Sequence, residues 1–196
     1  MSRTARFERA TKETSTVVEV NLDGTGRARI STGIGFFDHM LELVARHAAI
    51  DLTVEAKGDL HVDEHHTVED VGLALGEAIA RALGDRRGIR RYGFLLPMDE
   101  SLAQVALDLG GRPYLVFDAA FERQRVGELP TELVEDFFKA VSDTLKANLH
   151  VRLHYGRNDH HKAEAIFKAF ARALRMAIED DPRLGGDVPS TKGVIG

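Results

Sequence analysis

The sequence predicts an α+β fold of two internally duplicated β-β-α-β-α-type halves, with their four helices packed as a layer between two β-sheets. Three observations carry this expectation. His65-His66-x-x-Glu69 recurs 95 residues later as His160-His161-x-x-Glu164. The segments these motifs open share Ala74/Ala169, Ala78/Ala173, Ala82/Ala177 and Asp85/Asp180. Their apolar matches Val71/Ile166, Leu75/Phe170, Ile79/Leu174 and Leu83/Ile178 have the spacing of four that forms the buried stripe of an amphipathic helix. Upstream, at an offset of 87, Phe7, Glu13, Val18, Leu22 and Gly24 match Phe94, Glu100, Val105, Leu109 and Gly111. Alanine-rich helices can agree through composition alone, but strands, helices and histidine motifs agreeing in one order favour duplication. The halves run 1–87 and 88–181, followed by a tail at 182–196.

Within each half the elements follow from local pattern. Residues 15–22 (STVVEVNL) alternate as a strand and end in Asp23-Gly24-Thr25-Gly26, a turn into a second strand near 27–31. Residues 102–109 and 114–118 repeat this, with Gly110-Gly111 at the bend. Residues 36–48 and 131–149 read as helices, with Thr131 an expected N-cap before Glu132-Leu133. Short strands at 50–56 and 149–155 precede the histidine-headed helices. A half with a sheet on one side and amphipathic helices on the other must bury those helices against something. Packing all four between two sheets is the economical solution.

Composition narrows the function. The chain has 196 residues, no cysteine and nine histidines, which excludes disulfide scaffolds, thiolate metal sites and cysteine nucleophiles. A net charge of −5 argues against a nucleic-acid partner. No apolar run is long enough to span a bilayer, and residues 1–12 are charged rather than signal-like, so no membrane partner and a cytoplasmic location are expected.

The histidines are clustered: His61, His65 and His66 in one group, and His150, His154, His160 and His161 in another, with His39 and His47 outside. A single histidine pair is most simply a solvated helix end, but the repetition favours a metal-binding reading. On a helix His65 and Glu69 share one face, as do His160 and Glu164, while His66 and His161 point about 100° away. Two related metal sites, each drawing on both motifs, follow from this, with His39 an additional ligand. Imidazole and carboxylate without sulfur suit Mn²⁺, Fe²⁺ or Zn²⁺. The tail Pro189-Ser190-Thr191-Lys192-Gly193 reads either as a frayed terminus or as a mobile anion-binding loop. Arg91, Arg112 and Lys168 are further cationic candidates, and no nucleotide-binding fingerprint is present.

Five segments together resemble the imidazoleglycerol-phosphate dehydratase family: TGIGFFDHML (32–41), GDLHVDEHHTVED (58–70), DLGGRPYLVF (108–117), HHKAEAIFKAFARAL (160–174) and PSTKGV (189–194). The resemblance covers essentially the whole chain. It implies a ribosomal protein S5 domain 2-like duplicated fold and trimers assembling into a homo-oligomer of 24 subunits, with active sites between subunits. It further implies two Mn²⁺ per site and dehydration of imidazoleglycerol phosphate to imidazoleacetol phosphate in L-histidine biosynthesis. Carried over by position, one ion is held by His65, Glu69 and His161, the other by His39, His66, His160 and Glu164. Glu13 resembles the acid/base residue, with Glu164 also a catalytic candidate, and Arg91, Arg112, Lys168, Ser190 and Lys192 resemble the phosphate contacts. His47 ends a substrate-contacting segment. The chain departs from the pattern at Asp136, where the family usually has the remaining histidine ligand of the first ion. Two other readings fit the residues alone: a dinuclear metallohydrolase of a small phosphate ester, and a metal-assembled shell without catalytic activity.

Overall fold

The computed structural model describes residues 3–195, apart from the side chains of residues 92–95. The first sheet is built from β1 (Thr4–Ala10), β2 (Thr14–Asn21), β3 (Ala28–Ser31) and β4 (Asp51–Gly58), with helix α1 (Gly35–Ala48) before β4 and α2 (His65–Leu83) after it. The second sheet repeats the order with β5 (Tyr92–Met98), β6 (Ser101–Asp108), β7 (Tyr114–Asp118) and β10 (Asn148–Tyr155). Its helices are α3 (Leu133–Leu145) and α4 (Asp159–Ile178), and a short hairpin, β8 (Arg125–Val126) and β9 (Leu129–Pro130), precedes α3. The strand orders are β1-β2-β4-β3 and β5-β6-β10-β7. Among the described residues the one parallel pair in each sheet is the last, β4 with β3 and β10 with β7. Among the described residues no helix is long and apolar enough to cross a membrane.

The α+β architecture follows the sequence expectation, with α1 on α4 and α2 on α3 between the two sheets. Each sheet also opens with a strand that the β-β-α-β-α order omits. In β1 the solvent-facing Thr4, Arg6 and Glu8 mask the pattern, while Phe7 lies opposite Val18. The Phe94 counterpart of Phe7 lies outside the described side chains. Helix α3 ends at Leu145 rather than 149, because Lys146 turns left-handed at φ 51° and the chain enters β10. Thr131 is not its N-cap. Glu132 occupies that position, and the Thr131 hydroxyl donates to the Arg123 carbonyl at 2.8 Å.

The core forms where the helices meet. Phe37 of α1 packs edge-on to Phe137 of α3 at 5.4 Å, and Phe137 stacks on Phe167 of α4 at 5.3 Å. All three are fully buried, worth roughly 1.5–3 kcal/mol each. Helices α2 and α3 approach closely because α2 carries Gly72 and Gly76. A Cβ on Gly76 would lie 2.1 Å from Thr144 Oγ1 and 2.7 Å from the Val141 carbonyl oxygen. The buried Arg86 guanidinium donates to the carbonyls of Leu109 and Leu145, tying the end of β6 to the end of α3.

Candidate metal centre and anion pocket

Both histidine motifs stand at helix starts. The Asp63 side chain accepts from the His65 amide at 2.6 Å, and Asn158 accepts from the His160 amide at 2.9 Å. These residues satisfy backbone donors that a helix leaves unpaired. The start of α1 is fixed differently: the Thr32 amide and hydroxyl both donate to Asp38, the neighbour of His39.

His39, His160 and Glu164 converge across the α1–α4 seam. One donor atom from each lies within 4.8 Å of the others, the only such trio among the described residues. The Glu164 carboxylate spans the group: Oε1 lies 3.7 Å from His39 Nε2, and Oε2 lies 3.8 Å from His160 Nε2. Its side chain is 10% exposed, against 44% for each histidine, so the carboxylate forms the floor and the imidazoles the rim. Phe36 packs edge-on to the His160 ring at 5.1 Å. Two imidazoles and a sheltered carboxylate, with no thiol in the chain, fit a divalent cation that prefers nitrogen and oxygen donors.

The matching place on the α2–α3 seam holds His65 and Asp136, with Nδ1 3.7 Å from Oδ2. Glu69, one turn beyond His65, is exposed. The first seam therefore joins a histidine and a glutamate of the motif-bearing helix to His39 of the helix opposite, while at the second His65 meets Asp136 of the helix opposite.

His66 and His161 turn away from their neighbours, as helical geometry requires. The His66 Nδ1–H donates to Asp59, and the His161 Nδ1–H donates to Glu100 at 2.8 Å. These hydrogen bonds hold both imidazole pKa values above the ordinary range. They leave each Nε2 outward, 3.9 Å from Glu13 Oε2 and 3.8 Å from Asp99 Oδ2 respectively. Glu100 also accepts the Asn158 and Arg157 amides, which with His161 lower its pKa to about 2. Within one chain the mixed ligand sets of the sequence expectation are thus not gathered: His66 and His161 face outward, away from the two seams.

The cationic candidates separate into two groups. Arg91, Arg112, Ser190 and Lys192 line one cavity of about 380 Å³ together with Thr191. Arg91 is braced there by Asp108 (Nη2 to Oδ2, 2.8 Å) and donates to the Pro189 carbonyl at 3.1 Å. The glycine-rich tail is folded against this arginine. Lys168 lies elsewhere, one turn along α4 from Glu164, with Nζ 3.1 Å from Oε1. His47, at the end of α1, has its pKa lowered by burial and by the nearby charges of Lys168, Arg172 and Arg46. Of the histidines without an expected role, His150 packs on Tyr114 and His154 pairs with Gln104. A groove of about 600 Å³ is lined by residues of the first sheet and contains none of the candidates.

Sequence reasoning missed Asp59, Glu100 and Asp70 as supports of the site. Glu100 was visible as the repeat partner of Glu13, and Asp59 and Asp70 lie inside the quoted segment 58–70, but no local spacing assigns their contacts.

The family profile described as imidazoleglycerol-phosphate dehydratase matches residues 32–174. The imidazoleglycerol-phosphate dehydratase of Azorhizobium caulinodans is 61% identical over 195 residues, covering 99% of both chains. The histidine biosynthesis bifunctional protein HisB of Spirosoma linguale is 60% identical over 99% of this chain, which spans 50% of that longer protein. Among solved structures, the Staphylococcus aureus imidazoleglycerol-phosphate dehydratase superposes with TM-score 0.82 at 39% identity, covering 91% of this chain and 99% of that one. The Pyrococcus furiosus enzyme gives TM-score 0.82 at 33% identity, with coverages of 96% and 99%. The chain belongs to the imidazoleglycerol-phosphate dehydratase family, the hydro-lyases of histidine biosynthesis.

Proposed function

We propose that this chain removes water from imidazoleglycerol phosphate to give imidazoleacetol phosphate, using a two-metal centre completed between copies of the chain. The observation that carries this is the His39–His160–Glu164 cluster on one helix seam, with the His65–Asp136 pair at the matching place on the other. Family membership favours this reaction over phosphate-ester hydrolysis.

The residues that would hold the ions are His39, His160 and Glu164 with His66 for one, and His65, Glu69 and Asp136 with His161 for the other. We take the metal as Mn²⁺, with Fe²⁺ and Zn²⁺ as alternatives of the same ligand chemistry. Since His66 and His161 point outward from each chain, another copy supplies them to each cluster. The separation of the two functional ends supports the same conclusion. The Arg91 amide donates to the Ala177 carbonyl near the far end of α4, which anchors the anion cavity about 26 Å along that helix from His160 at about 1.5 Å rise per residue. A small phosphorylated substrate spans no such distance, so its two ends meet different copies. A homo-oligomer, of the trimer-based 24-subunit kind, supplies that arrangement. A cytoplasmic location agrees with this biosynthetic role.

The chemical difficulty is removing a proton from a carbon beside an imidazole, with no carbonyl to stabilise the charge. Bound metal supplies a Lewis acid that makes a ring nitrogen more acidic. Glu13 moves the proton between the carbon and the departing hydroxyl, with Glu164 on the opposite wall. Arg91, Arg112, Ser190 and Lys192 grip the phosphate, assisted by Lys168 beside Glu164, and their binding energy orients the reacting carbon. His47, its pKa lowered by burial and its cationic neighbours, lines the substrate's approach along α1. The tail at 182–196 closes over the phosphate, while 1–87 and 88–181 each contribute one ligand-bearing helix pair.

The test is Glu13→Gln. Metal content and assembly should stay as in the wild type, while turnover falls by at least 10²-fold, about the scale of a general acid–base contribution. Near-wild-type turnover would remove Glu13 from the reaction.

A further inference from the structure

We propose that Asp70 is a positioning residue that pins the turn carrying Glu13 to helix α2, so that the Glu13 carboxylate is not spent on holding its own turn. The inference rests on the acid/base reading of Glu13. Asp70 is 5% exposed and lies one residue beyond Glu69 on the helix that bears His65 and His66. One of its carboxylate oxygens accepts from the hydroxyl of Thr14, itself 4% exposed. The other accepts from Arg9 Nε at 2.7 Å. Both donors flank the 10–14 turn, one on β1 and one on β2. Inside the turn the Thr11 hydroxyl accepts the amides of Glu13 at 3.1 Å and Thr14 at 3.0 Å. The backbone on both sides of Glu13 is thus tied, through a buried carboxylate, to the helix that carries the ligands.

The duplicated half shows what this tether replaces. Glu100 is the repeat counterpart of Glu13, and Ser101 that of Thr14. At the place of Asp70 stands Ala165, which cannot accept a hydrogen bond. There the glutamate ties down its own turn: Glu100 spends its carboxylate on the Arg157 and Asn158 amides and on His161. A carboxylate whose oxygens are already taken up by two backbone amides and an imidazole is not free to reach a substrate. In the first half Asp70 takes over the holding task. Glu13 stays 57% exposed, and its carboxylate accepts no hydrogen bond among the described residues. One copy of an ancestral turn anchors itself, and the other is anchored from outside so that its glutamate can react.

The test compares Asp70→Asn, Thr14→Val and Thr14→Ser with Glu13→Gln in the metal-loaded protein, reading kcat, KM, metal content and melting temperature. Thr14→Val and Asp70→Asn should lower kcat by about 10- to 100-fold, the penalty of displacing a reacting group by a fraction of an ångström to one ångström. KM and metal content should stay at wild-type values, and Thr14→Ser, which keeps the hydroxyl, should restore kcat. Wild-type kcat in Thr14→Val and Asp70→Asn beside an inactive Glu13→Gln would overturn the tether alone. Parallel loss of metal or a KM rise matching the kcat loss would reduce Asp70 to a fold-maintaining residue and overturn it too. High turnover in Glu13→Gln would overturn the reading of Glu13 itself, and with it the purpose of the tether.

Discussion

Asp136 and His39 occupy matching places on α3 and α1, yet they offer a metal ion different chemistry. Imidazole is the softer donor and reaches further from its backbone; a carboxylate is shorter and charged. Replacing Asp136 with His should make the two seams alike and raise the affinity of the weaker ion by about 10-fold, or about 1.4 kcal/mol. Competition with a chelator of known affinity measures this, and unchanged affinity would put Asp136 outside the coordination set. The ligand candidates were legible in the sequence because helix periodicity alone puts positions i and i+4 on one face. Their supports were not. Glu100 reaches His161 across 61 residues and Thr14 reaches Asp70 across 56, distances that only the folded sheets close.

At the scale of elements the two seams differ in how near their helices come. Helix α2 offers Gly72 and Gly76 to α3, whereas the repeat-equivalent positions of α4 are Phe167 and Ala171. A methyl group at Gly76 meets the α3 backbone at 2.7 Å, and backbone cannot swing aside as a side chain does. Gly76→Ala should therefore destabilise the fold by about 1–3 kcal/mol, despite the better helix propensity of alanine. Thermal or denaturant unfolding reads it directly, and unchanged stability would mean the helices separate freely. Most elements were legible from periodicity, β7 to the residue. The misses have separate causes: β1 interleaves charges on its open face, the β8–β9 hairpin is only two residues a side, and the end of α3 falls at a backbone turn that its sequence does not signal.

For the whole molecule, the decisive dimension is the length of α4, which keeps the His39–His160–Glu164 cluster and the anion cavity at its two ends. His160→Ala impairs one end and Lys192→Ala the other. Each variant alone should be nearly inactive, and co-assembled particles should regain turnover, because some sites then draw an intact half from each variant. Mixed particles as inactive as the separate variants would mean that each site is built from one chain.

The seams have a further consequence. The ligand candidates on each seam come from both layers of helices, so an ion seated there adds a bridge between two structural halves already joined by core packing and by the Arg86 hydrogen bonds. Binding to the folded form alone adds stability that grows with the logarithm of free metal, about 2.7 kcal/mol at a hundred times the dissociation constant. The supply of a trace cation thereby sets how firmly the two halves of the protein hold together.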